Sequence, residues 1–313
     1  MIYTVNNCIR AFGYTNFDNL IADMGSVDNL REYVRANGYA DITVAEDTEL
    51  LLVDVNGKTW HTGCYGAVIE PPKPYLCFTS AGDSTVAMTQ NGTPNTSANK
   101  VIQYKLNNGR WQNWDLSAIA LTDGDKMYIK SDEIPISESN QIYKKFVMTG
   151  SIAASGNIMS LLNFSTTLAD YVFFRLFEGC TSLTQAPALP ATTLATNCYG
   201  NMFNNCAITQ APALPATTLA DYCYYGMFQS CKSLTTVPDL PATTLASTCY
   251  MFMFYSCSKL NYVKALFTDI SAQHCLNYWL DGVSSTGTFV KNVNATWTNE
   301  QAGIPTGWTV QSE

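Results

Sequence analysis

The chain has 313 residues and a formal net charge of −8, with 47% hydrophobic and only 13% charged residues. Soluble domains carry ~25% charge, so Thr, Asn, Ser, Gln and Tyr must cover much of this surface. The absence of a Lys/Arg run excludes a phosphate-tracking nucleic-acid groove, and no segment reaches the ~18–20 apolar residues of a membrane-spanning helix.

Such a length exceeds one compact domain, and two or three modules are expected. Residues 1–70 read as a mixed α/β module. Ser26 can cap a helix through Val27, Leu30, Tyr33 and Val34 that ends at Asn37-Gly38. Ile42 and Val44 suggest a strand, and TELLLVDV and KTWHTG read as a hairpin turning at Asn56-Gly57. A docking module and a plain accessory domain fit this stretch equally. The start, MIYTVNNCIRAFGY, lacks a basic n-region and an apolar h-region, and Cys8 follows no lipoprotein-type signal. A chain beginning at Met1 is therefore expected to be made in the cytoplasm and to leave by lysis or assembly.

Glu70-Pro71-Pro72-Lys73-Pro74 reads as a linker. Residues 75–140 read as a β-sandwich-like domain, with strands at PYLCFTSA, STVAMTQ, KVIQYKL, RWQNWDL and KMYIK and turns at Asn108-Gly109 and Asp123-Gly124. Asp123-Gly124-Asp125 lacks the spaced oxygens and closing Glu of a calcium loop and reads as a turn. Residues 143–162 read as a connector.

One short paragraph is then written about five times: LPATTLATNCYGNMFNNC from Leu189, LPATTLADYCYYGMFQSC from Leu214, LPATTLASTCYMFMFYSC from Leu240. A period of 25–26 residues signals units that bury a face only against their neighbours. Pro190, Pro215 and Pro241 suit a first helical turn, and Leu219, Cys223, Met227 and Cys231 fall four apart like a helical stripe. Each unit is expected to be helix, turn, short strand, turn. The phased cysteines would lie about 12 Å apart along such a helix, beyond the ~7 Å Cα limit of a disulfide. They read as buried free thiols. With no C-x-x-C pair and two histidines, no metal site is expected. Val172 and Val283 replace cysteines in the first and last copies, as capping units require.

C-x-S-L-T-x-x-P, in CTSLTQAP and CKSLTTVP, preceded by MF-x-x-C, resembles the BspA-type leucine-rich repeats of Bacteroidetes surface proteins and their phages. VIQYKLNNGRWQNW, LTDGDKMYIK and SGNIMSLL resemble the β-domain that often precedes those repeats, and GTFVKN through GIPTGWTV resembles their ending. The resemblance covers roughly residues 75–313. Together with the α/β module read over 1–70 and the sandwich read over 75–140, it implies an α+β multidomain chain with a leucine-rich-repeat solenoid over 141–290 and a C-terminal cap over 291–313. It also implies adhesion rather than catalysis, without cofactor. Without an export signal, the expected setting is a phage particle's exterior, as a fibre or decoration protein, with a leader-stripped bacterial surface adhesin as the alternative. Residues 1–70 would hold other virion proteins, fibre-type analogy suggests a homotrimer, and the partner outside would be a host-surface glycan or protein.

The strand face of such an array is its usual binding face. Its candidates are Thr184, Gln185, Thr209, Gln210, Thr235, Thr236, Asn261 and Tyr262, whose uncharged hydroxyls and amides suit a neutral glycan. Tyr199, Tyr224 and Tyr250 form a second row, either an aromatic ladder for ligand or packing between helices. Nothing supports catalysis: His61 and His274 sit in different modules, and no nucleophile elbow or phosphate loop is present. A carboxylate pair assembled in space would be the enzymatic alternative, but Asp170, Glu178, Asp221 and Asp239 are the only acids across residues 161–260.

Overall fold

The structure, a computed structural model, describes residues 41–45, 49–53, 59–61, 74–94, 101–131, 136–297 and 302–313. The expected helix over Ser26 to Asn37, the Asn56-Gly57 turn and most of the 70–74 linker lie outside them. The chain divides into two compact units, Met1–Pro74 with Lys105–Trp111, and Tyr75–Tyr104 with Gln112–Glu313. In the first, β1 (Asp41–Ala45), β2 (Glu49–Val53) and β3 (Thr59–His61) form an antiparallel sheet in chain order, registered Asp41 to Val53 and Leu51 to His61.

The second unit opens with β4 (Leu76–Ser80), β5 (Ser84–Asn91), β6 (Ile102–Leu106, whose last two residues fall in the first unit), β7 (Gln112–Trp114), β8 (Ile119–Leu121) and β9 (Lys126–Ser131). The supposed connector adds β10 (Tyr143–Thr149), β11 (Ile152–Ser155) and a 3-10 helix over Ile158–Leu162. One sheet runs β10-β5-β8; the other runs β11-β4-β9-β6-β7. Alternation buries Val86 and Met88 of β5 and Met127 and Ile129 of β9. Phe78 of β4 meets Phe146 of β10 edge-on at 5.0 Å, and Trp114 of β7 lies 6.3 Å from Phe146, so the two sheets share an aromatic interior. Buried Ser160 fastens the 3-10 helix beneath them, accepting from the Leu76 N–H and donating to the Ile129 carbonyl, both at 2.9 Å.

The expected α+β chain ending in helical leucine-rich-repeat units is overturned. The described residues hold fifteen strands and that one 3-10 helix, with no α-helix. Strands are short in the repeated block: β12 (Leu183–Gln185) pairs parallel with β11, and β13 (Tyr262–Ala265), β14 (Thr288–Lys291) and β15 (Thr309–Ser312) form a parallel sheet. Between these, isolated parallel bridges such as Gln210 with Thr236 mark the same level of successive copies.

The four-residue spacing belongs to a run of turns. Within one copy the Cys206 N–H donates to the Phe203 carbonyl and the Met202 N–H to that of Tyr199, three residues back rather than four. The intervening N–H groups go to the next copy: Tyr199 to Cys223, Asn201 to Tyr225, Phe203 to Met227 and Asn205 to Gln229, at 2.7–3.1 Å. Every backbone donor of Asn197–Cys206 is thus satisfied, half of them only by the neighbour. An α-helix would satisfy its interior alone. Every fourth residue is left-handed: Asn197, Asn201, Asn205; Tyr222, Gly226, Ser230; Thr248, Phe252, Ser256; His274, Tyr278, Gly282. That requirement explains the Asn and Gly in these runs.

After the first two left-handed residues of each run come two buried ones, so equivalent side chains form columns. Phe146, Phe177, Phe203, Phe228 and Phe254 stack in sequence with ring centroids 5.0–5.7 Å apart. Phe173, Tyr199, Tyr224 and Tyr250 form a second column at 5.8–5.9 Å. The first column starts inside β10, so the two-sheet region and the repeats share one core, continuous across residue 140. At the far end Trp279 occupies the methionine position, stacks on Trp297 at 5.8 Å and donates its indole N–H to the Gly303 carbonyl.

Candidate functional site

Thr184, Gln185, Thr209, Gln210, Thr235, Thr236, Asn261 and Tyr262 are all exposed, both members of each pair, in two parallel columns on successive copies. Strict alternation of side chains would have turned one member inward; in β12 only Leu183 points inward, and Thr184 and Gln185 are both exposed at the strand's end. Several hydroxyls serve the protein itself. Thr184 Oγ1 donates to the Ile152 carbonyl at 3.0 Å and Thr235 Oγ1 to that of Thr209 at 3.2 Å. The side-chain amides of Gln185 and Gln210 have no hydrogen-bond partner among the described residues and face solvent.

Tyr199, Tyr224 and Tyr250 are corrected out of the site. Each is about 1% exposed, because the position after the cysteine is the second inward residue of a turn rather than ~100° around a helix. Burial raises all three phenols well above their ordinary range. They are core.

A cleft of about 600 Å³ lies between two identical pentapeptides, Thr-Gln-Ala-Pro-Ala at 184–188 and at 209–213. It contains four of the expected residues, Thr184, Gln185, Thr209 and Gln210; Thr235, Thr236, Asn261 and Tyr262 continue the surface beyond it. Its alanine and proline walls were missed in the sequence reading, although the exact repetition of five residues was visible there.

The cleft has a cause in the sequence. Cys206-Ala207-Ile208-Thr209 is one residue shorter than Cys180-Thr181-Ser182-Leu183-Thr184 and Cys231-Lys232-Ser233-Leu234-Thr235. No backbone hydrogen bond joins 183–188 to 208–213. One copy further on the ladder closes: the Thr235 N–H donates to the Thr209 carbonyl and the Ala211 N–H to the Thr236 carbonyl, both at 2.9 Å.

No charged side chain lines the cleft. The nearest ion pairs in the sequence, Glu178 with Arg175 at 3.6 Å and with Lys145 at 3.8 Å, involve none of the residues that line the cleft. Among the described residues no group of three His, Cys, Asp or Glu side chains is placed to hold a metal. Burial pushes Cys180, Cys198 and Cys231 up to about 12, which disfavours the reactive thiolate. This arrangement can recognise a neutral ligand by hydrogen bonds and small apolar contacts. Comparison of the chain with family models, curated proteins and solved structures gave no match.

Proposed function

We propose that this chain is a non-enzymatic adhesion protein that holds a neutral glycan in the cleft between its first two Thr-Gln-Ala-Pro-Ala segments. The observation that carries the reading is an uncharged, concave surface edged by two amide side chains that the protein leaves unused. Sugars offer many hydroxyls and no charge, and unspent amides match them in both donor and acceptor. The exposed Thr and Asn columns beyond the cleft extend the same chemistry to a longer chain.

Display on a phage exterior, anchored through residues 1–70, is the setting that the repeat resemblance supports; a bacterial cell surface is its alternative. A glycan array of host envelope polysaccharides tests the binding. The chain should retain neutral glycans, and Gln185→Ala with Gln210→Ala should weaken retention at least tenfold without altering the unfolding temperature. Retention of charged glycans alone, or of none, would remove the reading. Release of reducing ends from a bound polysaccharide would replace adhesion with hydrolysis.

A further inference from the structure

We infer that the cleft selects an N-acetylated amino sugar, gripping its acetamido group on the main chain of Gln210. This inference rests on the glycan reading above and names its ligand class.

The argument starts from the parallel ladder. Thr209 and Ala211 flank Gln210 and spend their groups on the following copy: the Thr209 carbonyl accepts from Thr235, and the Ala211 N–H donates to Thr236. In a parallel pair, the residue between two such bonds directs its own N–H and C=O to the opposite edge. For Gln210 that edge faces the first copy, across the cleft. The shortened Cys206–Thr209 run leaves nothing there to meet them, and neither group has a partner among the described residues. One donor and one acceptor, side by side on an open edge, are what an amide completes.

The site takes a single amide and not a strand. The next residue facing the same edge is Pro212, which has no N–H, and the opposite wall carries Pro187 at the equivalent place. An extended peptide would find its second rung missing on both sides. An acetamido group needs only the first, and its methyl matches the small apolar surface of Ala186, Ala188, Ala211 and Ala213. The sugar's hydroxyls then fall to the side-chain amides of Gln185 and Gln210. A volume of about 600 Å³ sits within the ~300–1,000 Å³ of ligand clefts and leaves room for more than one sugar ring.

Saturation-transfer NMR on the full chain tests this with three pairs of methyl glycosides: N-acetylglucosamine against glucose, N-acetylgalactosamine against galactose, N-acetylmannosamine against mannose. At least one acetylated member should bind, at least tenfold more tightly than its acetamido-free partner, with transfer strongest at the acetyl methyl. Inserting Ser between Ala207 and Ile208 restores the four-residue spacing and should abolish the difference. Should that insertion fail to fold, Ala213→Leu, at an exposed wall position, fills the cleft and should weaken the acetylated sugar at least tenfold. Equal binding within every pair overturns the acetamido assignment and leaves the neutral-glycan reading standing. Binding of no sugar here and none on the array overturns both. Binding of an extended peptide in place of sugars assigns the cleft to a polypeptide and overturns the inference.

Discussion

Cys231 donates its thiol to the carbonyl oxygen of Phe203, 28 residues earlier and one copy back, at 3.0 Å. Cys206 does the same to Phe177 and Cys257 to Phe228, both at 3.0 Å, and Cys180 reaches Phe146 at 3.3 Å. The other column differs at Cys223, which is equally buried but donates its thiol to no carbonyl among the described residues, while Cys249 reaches the Cys275 carbonyl only at 4.0 Å. Serine substitution should separate the two columns. At Cys231 the hydroxyl inherits a carbonyl acceptor, and Cys231→Ser should cost under about 1 kcal/mol. At Cys223 it is buried without one, and Cys223→Ser should cost about 1–3 kcal/mol. Denaturant unfolding of both variants checks the contrast, and equal losses would contradict it.

The same thiols predict an alkaline limit. Burial lifts Cys198 and Cys231 from an ordinary 9.0 to about 12, and desolvation raises Cys206 and Cys223 as well. A raised folded value means that the unfolded chain loses its proton first. The stabilisation is therefore complete below pH 9 and drains away as pH climbs toward 12. Unfolding temperature should fall steadily above pH 9, and less steeply when Cys198 and Cys223 are both alanine. At pH 8 the eight thiols of the repeated block should resist alkylation in the folded protein. All eight should react after denaturation without reductant, as free cysteines do.

The left-handed positions make a third prediction. Gly226 has φ +55°, and a Cβ there would meet Asn201 Oδ1 at 2.5 Å. Ser230, four residues on, holds φ 61° without the help of an Asn or Gly. Left-handed backbone costs ordinary residues about 1–2 kcal/mol. Gly226→Ala should therefore destabilise by at least that much, whereas Ser230→Asn should raise stability by up to about 1 kcal/mol. Calorimetry on the two variants reads both signs.

The sequence displayed the columns but not the backbone that makes them. Over the nine residues from Cys198 to Cys206, a period of four and a period of 3.6 bury the same side chains, so the stripe read as a helix. The discriminating signal was the left-handed position: Asn197, Asn201 and Asn205, then Gly226, Gly179 and Gly282, are poor helix formers placed at fixed intervals. The connector reading of residues 143–162 failed for a related reason. Phe146, Ile152 and Ile158 carry the repeat's inward pattern without its cysteines, and only contact with Phe177, Leu183 and Ala188 reveals them as the level beneath the first copy. The exposed Thr-Gln row was legible because uncharged polar pairs recur at one level. The cleft was not, because it depends on one missing residue between Cys206 and Thr209.

Tyr199 supplies the last test. Its ring stacks between Phe173 at 5.8 Å and Tyr224 at 5.9 Å, yet its hydroxyl is buried with no hydrogen-bond partner. A lone buried hydroxyl costs about 1–3 kcal/mol of desolvation that nothing offsets. The preceding level of the column already carries Phe173, so a phenyl ring fits this stacking geometry. Tyr199→Phe should leave the stack intact and raise stability by about 1 kcal/mol. Tyr199→Ala should remove two stacking contacts and cost about 3–5 kcal/mol. If Tyr199→Phe instead destabilises, the hydroxyl has a partner in solution, and an ordered water between the Tyr199 and Tyr224 levels would be the group to seek.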